Sequence, residues 1–369
     1  MEVPLDTLDT AKQPIQGCQW KVRARGEDVR HFILSHIERY PKDIATLTAQ
    51  QFGITRQAVN KHLKKLVVER ALTPEGKTRN RSYKLAALFE WTKVYLLSSK
   101  LEEDQVWEKD ISAVLGKLPQ NVMDIWGFCF TEMFNNALDH SGATSIFVEV
   151  AKTATNTQVM LMDNGIGIFK KIQNALGLLD ERHAILELAK GKLTTDPARH
   201  TGQGIFFTSR LVDSFDILSG GVFFSHTFGM KEDWILERNI DKPGTAIFLK
   251  LDNHSARTAK AIFNQYSSGE DYGFTKTVVP VRLAQYGEDK LISRSQAKRL
   301  VSRVDLFKCV HFNFEGVESI GQAFADEIFR VFAKSHPEIE IVPINANSDV
   351  QQMIQATRNQ WSSETPGSI

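Results

Sequence analysis

The pattern of apolar positions divides the chain into stretches of different period. From 56 to 70, RQAVNKHLKKLVVER carries Val59, Leu63, Leu66 and Val67 at i, i+4, i+7 and i+8, the signature of an amphipathic helix. That spacing turns Arg56, Gln57, Asn60, Lys61 and Lys64 outward. DIATLTAQQFGIT before it reads as a short helix from Ile44 to about Gln51 and a turn at 52–54, with Thr55 as the N-cap of the second helix. ALTPEGKTRNRSYKL after it reads as a hairpin with its tip at 74–79.

A second pattern begins at Asn121. The helix predicted over 121–140 is apolar almost all round, except that Glu132, Asn135, Asn136 and Asp139 fall at i, i+3, i+4 and i+7. At ~100° per residue these four share one stripe. Burying a carboxylate and carboxamides costs several kcal/mol without partners, so the stripe is expected to line a polar cavity or a ligand. An acid and amides in a line suit hydrated Mg²⁺ and the phosphates it carries. The alternative is a capped helix end with a solvent edge. Two strands follow, TSIFVEVA and TQVMLMDNGIGIF, the second breaking at Asp163 into Asn164-Gly165-Ile166-Gly167. A carboxylate at a strand end can accept from an amine while glycines let backbone close around a flat ring. Gly202 and Gly204 then stand just ahead of another amphipathic helix, a place where backbone N–H groups can approach phosphate.

Beyond 277 the reading is strand TVVPVRLAQ, helix SRSQAKRLVSRV, strand FKCVHFNFEG, helix SIGQAFADEIFRVFAKS, strand IEIVPIN and helix SDVQQMIQATRN. Such alternation predicts a small α/β layer.

Composition narrows the classes. The chain has 369 residues, 42% hydrophobic, enough for two or three domains with cores of their own. No apolar run approaches the ~20 residues that span a bilayer, and the N-terminus lacks a basic segment followed by an apolar one. A cytoplasmic protein with no membrane association is expected. Cys18, Cys129 and Cys309 share no metal-ligand or redox spacing. The net charge of +1 hides a local asymmetry, because 56–84 holds nine Lys or Arg against Glu69 and Glu75.

Three resemblances organise these patterns. Residues 28–85 resemble a winged helix-turn-helix of the bacterial repressor kind. The resemblance implies that Arg56, Gln57, Asn60, Lys61 and Lys64 meet base edges and backbone of double-stranded DNA, with Arg79 and Arg81 of the wing on phosphates. A winged helix used only for protein contacts would leave the same residues solvated.

Residues from about 106 to 251 resemble the ATP-binding (Bergerat) fold shared by DNA gyrase, Hsp90, histidine kinases and MutL, the GHKL superfamily. ExxxNAxxH at 132–140, DNGIG at 163–167 and TGQGIF at 201–206 look like its N-box and two glycine boxes. The resemblance implies ATP and Mg²⁺ as cofactors. Glu132 would polarise the attacking water or hydroxyl, Asn136 would ligate Mg²⁺ and Asp163 would accept from the adenine amino group. Gly165 and Gly167 would shape the adenine pocket, and Gly202, Gln203 and Gly204 the phosphate loop. Asn135, Asp139 and Thr245 complete the nucleotide-binding set. The segment 169–200 would be a lid, from which Lys190, Lys192, Arg199 and His200 could reach the γ-phosphate. No phosphoacceptor histidine lies in AALFEWTKVYLLSSKLEEDQVWEKD upstream of the N-box, which disfavours a histidine kinase.

FNFEGVESIGQAFADEIF resembles the STAS-like fold of anti-sigma-factor antagonists, where Ser319 would fall at the phosphoacceptor. The residues themselves read rather as placing Ser319 at the N-cap of a helix from Ile320.

The expected architecture is multidomain α+β. It comprises a flexible tail (1–27), a winged helix (28–86), a helical connector (87–105), a central ATP-binding α/β sandwich (106–252), a linker (253–277), a small STAS-like α/β domain (278–360) and a tail (361–369). The expected function is an ATP-responsive, DNA-binding transcriptional regulator, the expected partners being double-stranded DNA, a second copy of the chain and a protein bound through the STAS-like domain. A serine kinase acting on its own or a partner STAS domain, and a sensor that binds nucleotide without turnover, remain alternatives.

Overall fold

The computed structural model describes residues 26–77, 80–97, 101–194, 201–230, 233–237, 243–267, 273–285 and 290–364, with 237 and 360–364 described through their backbone only. The chain is mixed α/β. It divides into two compact units, Met1–Glu90 with Ala151–Thr157, and Trp91–Val150 with Gln158–Ile369.

The first unit opens with helix α1 (26–36). Helices α2 (Ile44–Phe52) and α3 (Arg56–Val68) follow, then an antiparallel hairpin of β1 (Leu72–Glu75) and β2 (Ser82–Leu85), paired from Leu72↔Leu85 to Glu75↔Ser82. Thr55 caps α3, its hydroxyl accepting from the Ala58 N–H at 3.2 Å. Val59, Leu63 and Leu66 are buried with Ile33, Ile37, Ile44, Leu72 and Leu85. Each such side chain contributes about 1.5–3 kcal/mol relative to exposure. Val67 is only half-buried, so the i+7 position carries the core contact and i+8 its edge.

The second unit holds two sheets. Seven strands run in the order β3-β4-β5-β9-β6-β7-β8, comprising β3 (Phe89–Leu96), β4 (Ser145–Lys152), β5 (Asn156–Asp163), β6 (Ser214–Ser219), β7 (Val222–Thr227), β8 (Trp234–Glu237) and β9 (Thr245–Asp252). Short helices α4 (Glu103–Val106) and α5 (Ser112–Leu115), joined by the π-helical turn Trp107–Ile111, precede the long α6 (Gln120–His140). Next come α7 (Ile168–Leu176), α8 (Glu181–Lys190) and α9 (Gly204–Leu211). Phe130 and Phe134 of α6 are fully buried with the alternating Ile146, Val148 and Val150 of β4.

After α10 (Ala259–Gln265), strands β10 (Lys276–Pro280), β11 (Cys309–Asn313) and β12 (Glu340–Ile344) form a three-stranded parallel sheet in register Val278↔His311↔Val342. Its helices are α11 (Arg294–Val301), α12 (Gln322–Asp326), α13 (Ala333–Ser335) and α14 (Ser348–Glu364). A capping box between Ser293 and Gln296 starts α11.

Two segments differ from the sequence reading. The predicted helical connector at 87–105 is instead largely β3, an edge strand of the large sheet. FEWTKVYL alternates Trp91 and Tyr95 inward and is rich in aromatic and β-branched residues, a strand pattern. Asp110 holds it in place, accepting from Lys93 Nζ at 2.6 Å and Tyr95 Oη at 2.7 Å. The predicted linker at 253–277 contains α10, capped by Thr258, and Phe274, which packs on Phe206 and Phe207.

Candidate functional site

The polar stripe of α6 faces a cavity of about 280 Å³. Glu132, Asn135, Asn136 and, one turn on, His140 line one side. Asp163, Gly167 and Thr245 come from the ends of β5 and β9, while Gly202 and Gly204 come from the start of α9. Apolar walls are supplied by Ile146, Leu161, Ile172, Leu188 and Ile247, among others.

The loop after β5 is fixed to the end of α6. Ile166 N–H donates to Ser141 O at 3.0 Å, and Asn164 accepts from the N–H groups of Thr144 and Ser145 while its amide donates to Thr144 Oγ1. Gly165 is pressed so closely on the Ser141 carbonyl that a Cβ there would overlap backbone. Gly204, likewise, lies directly against the Glu132 carboxylate. These two glycines are needed because α6 passes both loops without room for side chains.

Asp163 is the last residue of β5. Burial raises its pKa, opposed by hydrogen bonds from the Gly165 N–H and from the N–H and hydroxyl of Thr245. The Gly165 bond measures 2.8 Å. The Thr245 hydroxyl also accepts from Ile168 N–H at 3.0 Å, so one threonine joins β9, the carboxylate and the start of α7. The result is an oriented carboxylate in the same cavity as the Glu132 carboxylate and the Asn135 and Asn136 carboxamides.

The structure thus brings together Glu132, Asn135, Asn136, Asp163, Gly167, Gly202, Gly204 and Thr245. Gly165 and Gln203 flank the cavity without lining it. Asp139, the last member of the stripe, does not line the cavity: it is exposed at the end of α6. The sequence reading missed His140, Lys171, Thr194 and Thr201 as lining residues. For Lys171 a signal was present, since Ile168, Lys171 and Ile172 share one face of α7 at i, i+3 and i+4.

The expected lid differs most. Its centre, α8, is buried from His183 to Lys190. Lys190 is 1% exposed and turned away from the cavity, its Nζ donating to Glu187 Oε1 at 2.7 Å and to the carbonyls of Arg299 and Ser302 at 2.8 Å each. Lys192 donates to Leu306 O at 2.7 Å and lies over the Phe307 ring. Both lysines engage the layer built on β10, β11 and β12, where Thr277 Oγ1 donates to Lys190 O and Arg303 to Lys192 O. Leu188, Leu193 and Thr194 of the same segment face the cavity. Arg199 and His200 lie outside the described residues.

In the first unit, Arg56, Gln57, Asn60, Lys61 and Lys64 are exposed along α3, and Arg81 is exposed before β2. Arg79 lies outside the described residues. The two acids of the region are each engaged by a lysine, Glu69 by Lys65 at 3.7 Å and Glu75 by Lys84 at 2.6 Å. Ser319 is exposed. It is not a helix cap: α12 begins at Gln322 with Gly321 as its N-cap, because Ile320 is tied into a bridge with Leu291.

Among the described residues no helix is long and apolar enough to cross a membrane, and no group of three or more His, Cys, Asp or Glu converges as metal ligands. Searching the curated proteins gave no match to the chain. Residues 296–351 match the model of a family described as a STAS-like domain of unknown function, DUF4325. The matched stretch runs from α11 to the first residues of α14, so the C-terminal layer is STAS-like.

Proposed function

We propose that the protein is an ATP-responsive transcriptional regulator in which a GHKL-type cavity binds Mg-ATP, and its occupancy controls a winged-helix DNA reader and the STAS-like layer. The observation that carries this reading is the convergence of Glu132, Asn135 and Asn136 of α6, the hydrogen-bonded Asp163–Thr245 pair and the glycine-bearing start of α9 on one cavity.

The residues fit such a ligand. Asp163 is held by donors on its protein side, and a carboxylate so oriented can accept from an exocyclic amine of a ligand in the cavity. With no protein cage of His, Cys, Asp or Glu among the described residues, a divalent cation would be held by Asn136 and ligand phosphates, as suits Mg²⁺, which keeps several waters. When bound, the ion would neutralise phosphate charge. Glu132, which lines the cavity, would take a proton from water or a hydroxyl there.

The DNA part rests on a helix, a turn and a basic helix followed by a hairpin, with Arg56, Gln57, Asn60, Lys61 and Lys64 exposed on α3. The link between cavity and output rests on the 188–194 segment, which lines the cavity and hydrogen-bonds the STAS-like layer. ATP shifts such an equilibrium only by binding one arrangement better than another.

Incubation of the full chain with Mg²⁺ and γ-labelled ATP, comparing wild type with Glu132→Ala and Asn136→Ala, tests the reading. Label in free phosphate that is lost in Glu132→Ala supports an ATPase switch. Label on protein would replace it by a kinase and direct attention to Ser319, and bound ATP with neither signal would make it a sensor. Equal affinity for operator DNA with and without bound ATP would remove the regulatory link.

A further inference from the structure

We propose that Lys171 is the cationic contact for the phosphate chain of the bound nucleotide, at the phosphate nearest the sugar. This deepens the reading of the cavity as a nucleotide site and rests on it.

A cavity that holds a polyanion beside Glu132 and Asp163 needs positive charge. Among the described lining residues Lys171 is the one lysine or arginine. The lid lysines do not supply it: Lys190 spends its three donors on Glu187, Arg299 O and Ser302 O, and Lys192 reaches Leu306 O. Lys171 instead projects from the first turns of α7 toward the end of α6, where its Nζ donates to His140 O at 2.6 Å. An ammonium has three donors, so this bond leaves two for a ligand.

Its surroundings favour an anion. Burial lowers the Lys171 pKa, with the Asp139 carboxylate opposing that fall. A half-desolvated ammonium is stabilised by a charged acceptor more than a hydrated one is. Lys171 lines the cavity whereas Asp139 stands outside it, so a ligand oxygen can approach the side chain from the face that the Asp139 carboxylate does not occupy.

Position assigns the phosphate. Glu132 and His140 are eight residues apart on α6, about 12 Å along its axis at ~1.5 Å per residue. If Glu132 marks the end of the ligand where water attacks, Lys171, at His140, meets the other end of the phosphate chain. Its contact is then shared by ATP and ADP and absent from adenosine.

The test is calorimetric titration of the full chain and its Lys171→Met and Lys171→Arg variants with ATP, ADP and adenosine in Mg²⁺. Loss of one charge-assisted bond predicts about 10–100-fold weaker ATP and ADP binding by Lys171→Met. Adenosine affinity should change less than about 2-fold, and Lys171→Arg should keep most of the affinity for ATP. Equal loss for all three ligands would overturn the assignment and leave Lys171 a tether for the His140 carbonyl. Loss for ATP alone would move the contact to the terminal phosphate and overturn the stated position. Unchanged binding in Lys171→Met would also overturn it. A wild-type chain that binds none of the three would instead remove the nucleotide reading, and the proposal with it.

Discussion

Lys171 and Lys190 lie on successive helices, and the two sides of the fold they face treat the same side chain oppositely. On the STAS-like side, Lys190 is closed in by one carboxylate and two backbone carbonyls and is almost inaccessible. On the cavity side, Lys171 has the His140 carbonyl and a nearby carboxylate, and it lines the cavity. A buried cation whose donors are all taken up by the protein is a structural joint, whereas one with donors left over is positioned for something the protein does not contain. Burial alone does not separate the two cases; the inventory of partners does.

Substituting Lys190 by Met should have the largest effect on stability. It leaves Glu187 buried without its ammonium and two carbonyls without a donor, a loss of about 3–5 kcal/mol for a broken buried pair. Denaturant unfolding of the full chain measures it, with a second change, Glu187→Leu, expected to recover part of the loss. A Lys190→Met protein as stable as wild type would break the comparison. Lys192→Met should cost about 1 kcal/mol, since its bond to Leu306 O is at the edge of the layer.

Asp163→Asn separates stability from binding on the cavity side. Burial raises the folded-state pKa of Asp163 above its unfolded value, so its contribution to stability is fully present below the unfolded pKa and lost as pH rises through the folded one. At neutral pH the ionised group is therefore a cost. The Asn variant should melt no lower than wild type at pH 7, with the difference closing as pH falls toward the ordinary carboxylate range, while adenine-nucleotide binding is lost. A clearly lower melting temperature at pH 7 would mean the carboxylate is structural. The smallest effect is expected for Lys171→Met, within about 1 kcal/mol of wild type by the same unfolding measurement, because only one neutral acceptor loses its donor.

What the sequence discloses follows the range of the interactions. The α6 stripe is visible because four polar residues at helical spacing interrupt an apolar run, and the loop at 163–167 because glycines stand where α6 presses on it. Asp139 was drawn into the stripe by spacing alone, although at the last turn of α6 its side of the helix already faces solvent. The role of Lys190 is hidden, since its carbonyl partners lie 109 and 112 residues away and its own neighbourhood, ELAKGKL, reads as charged loop. β3 was misread because only the alternation of Trp91 and Tyr95 marks it, and its tether, Asp110, belongs to a later helical run. The parallel α/β layer was legible from alternation. The start of α12 was not, because the bridge at Ile320 displaces the cap to Gly321.

The central claim is that the cavity is built for an adenine nucleotide, and titration of the full chain with ATP and with GTP in Mg²⁺ tests it most directly. In this account the Asp163 carboxylate would accept from an amine at the position where guanine presents a carbonyl oxygen, which predicts saturable ATP binding at least about 100-fold tighter than GTP binding, with the preference abolished in Asp163→Asn. Equal affinities, or no binding of either nucleotide by the folded protein, would contradict it.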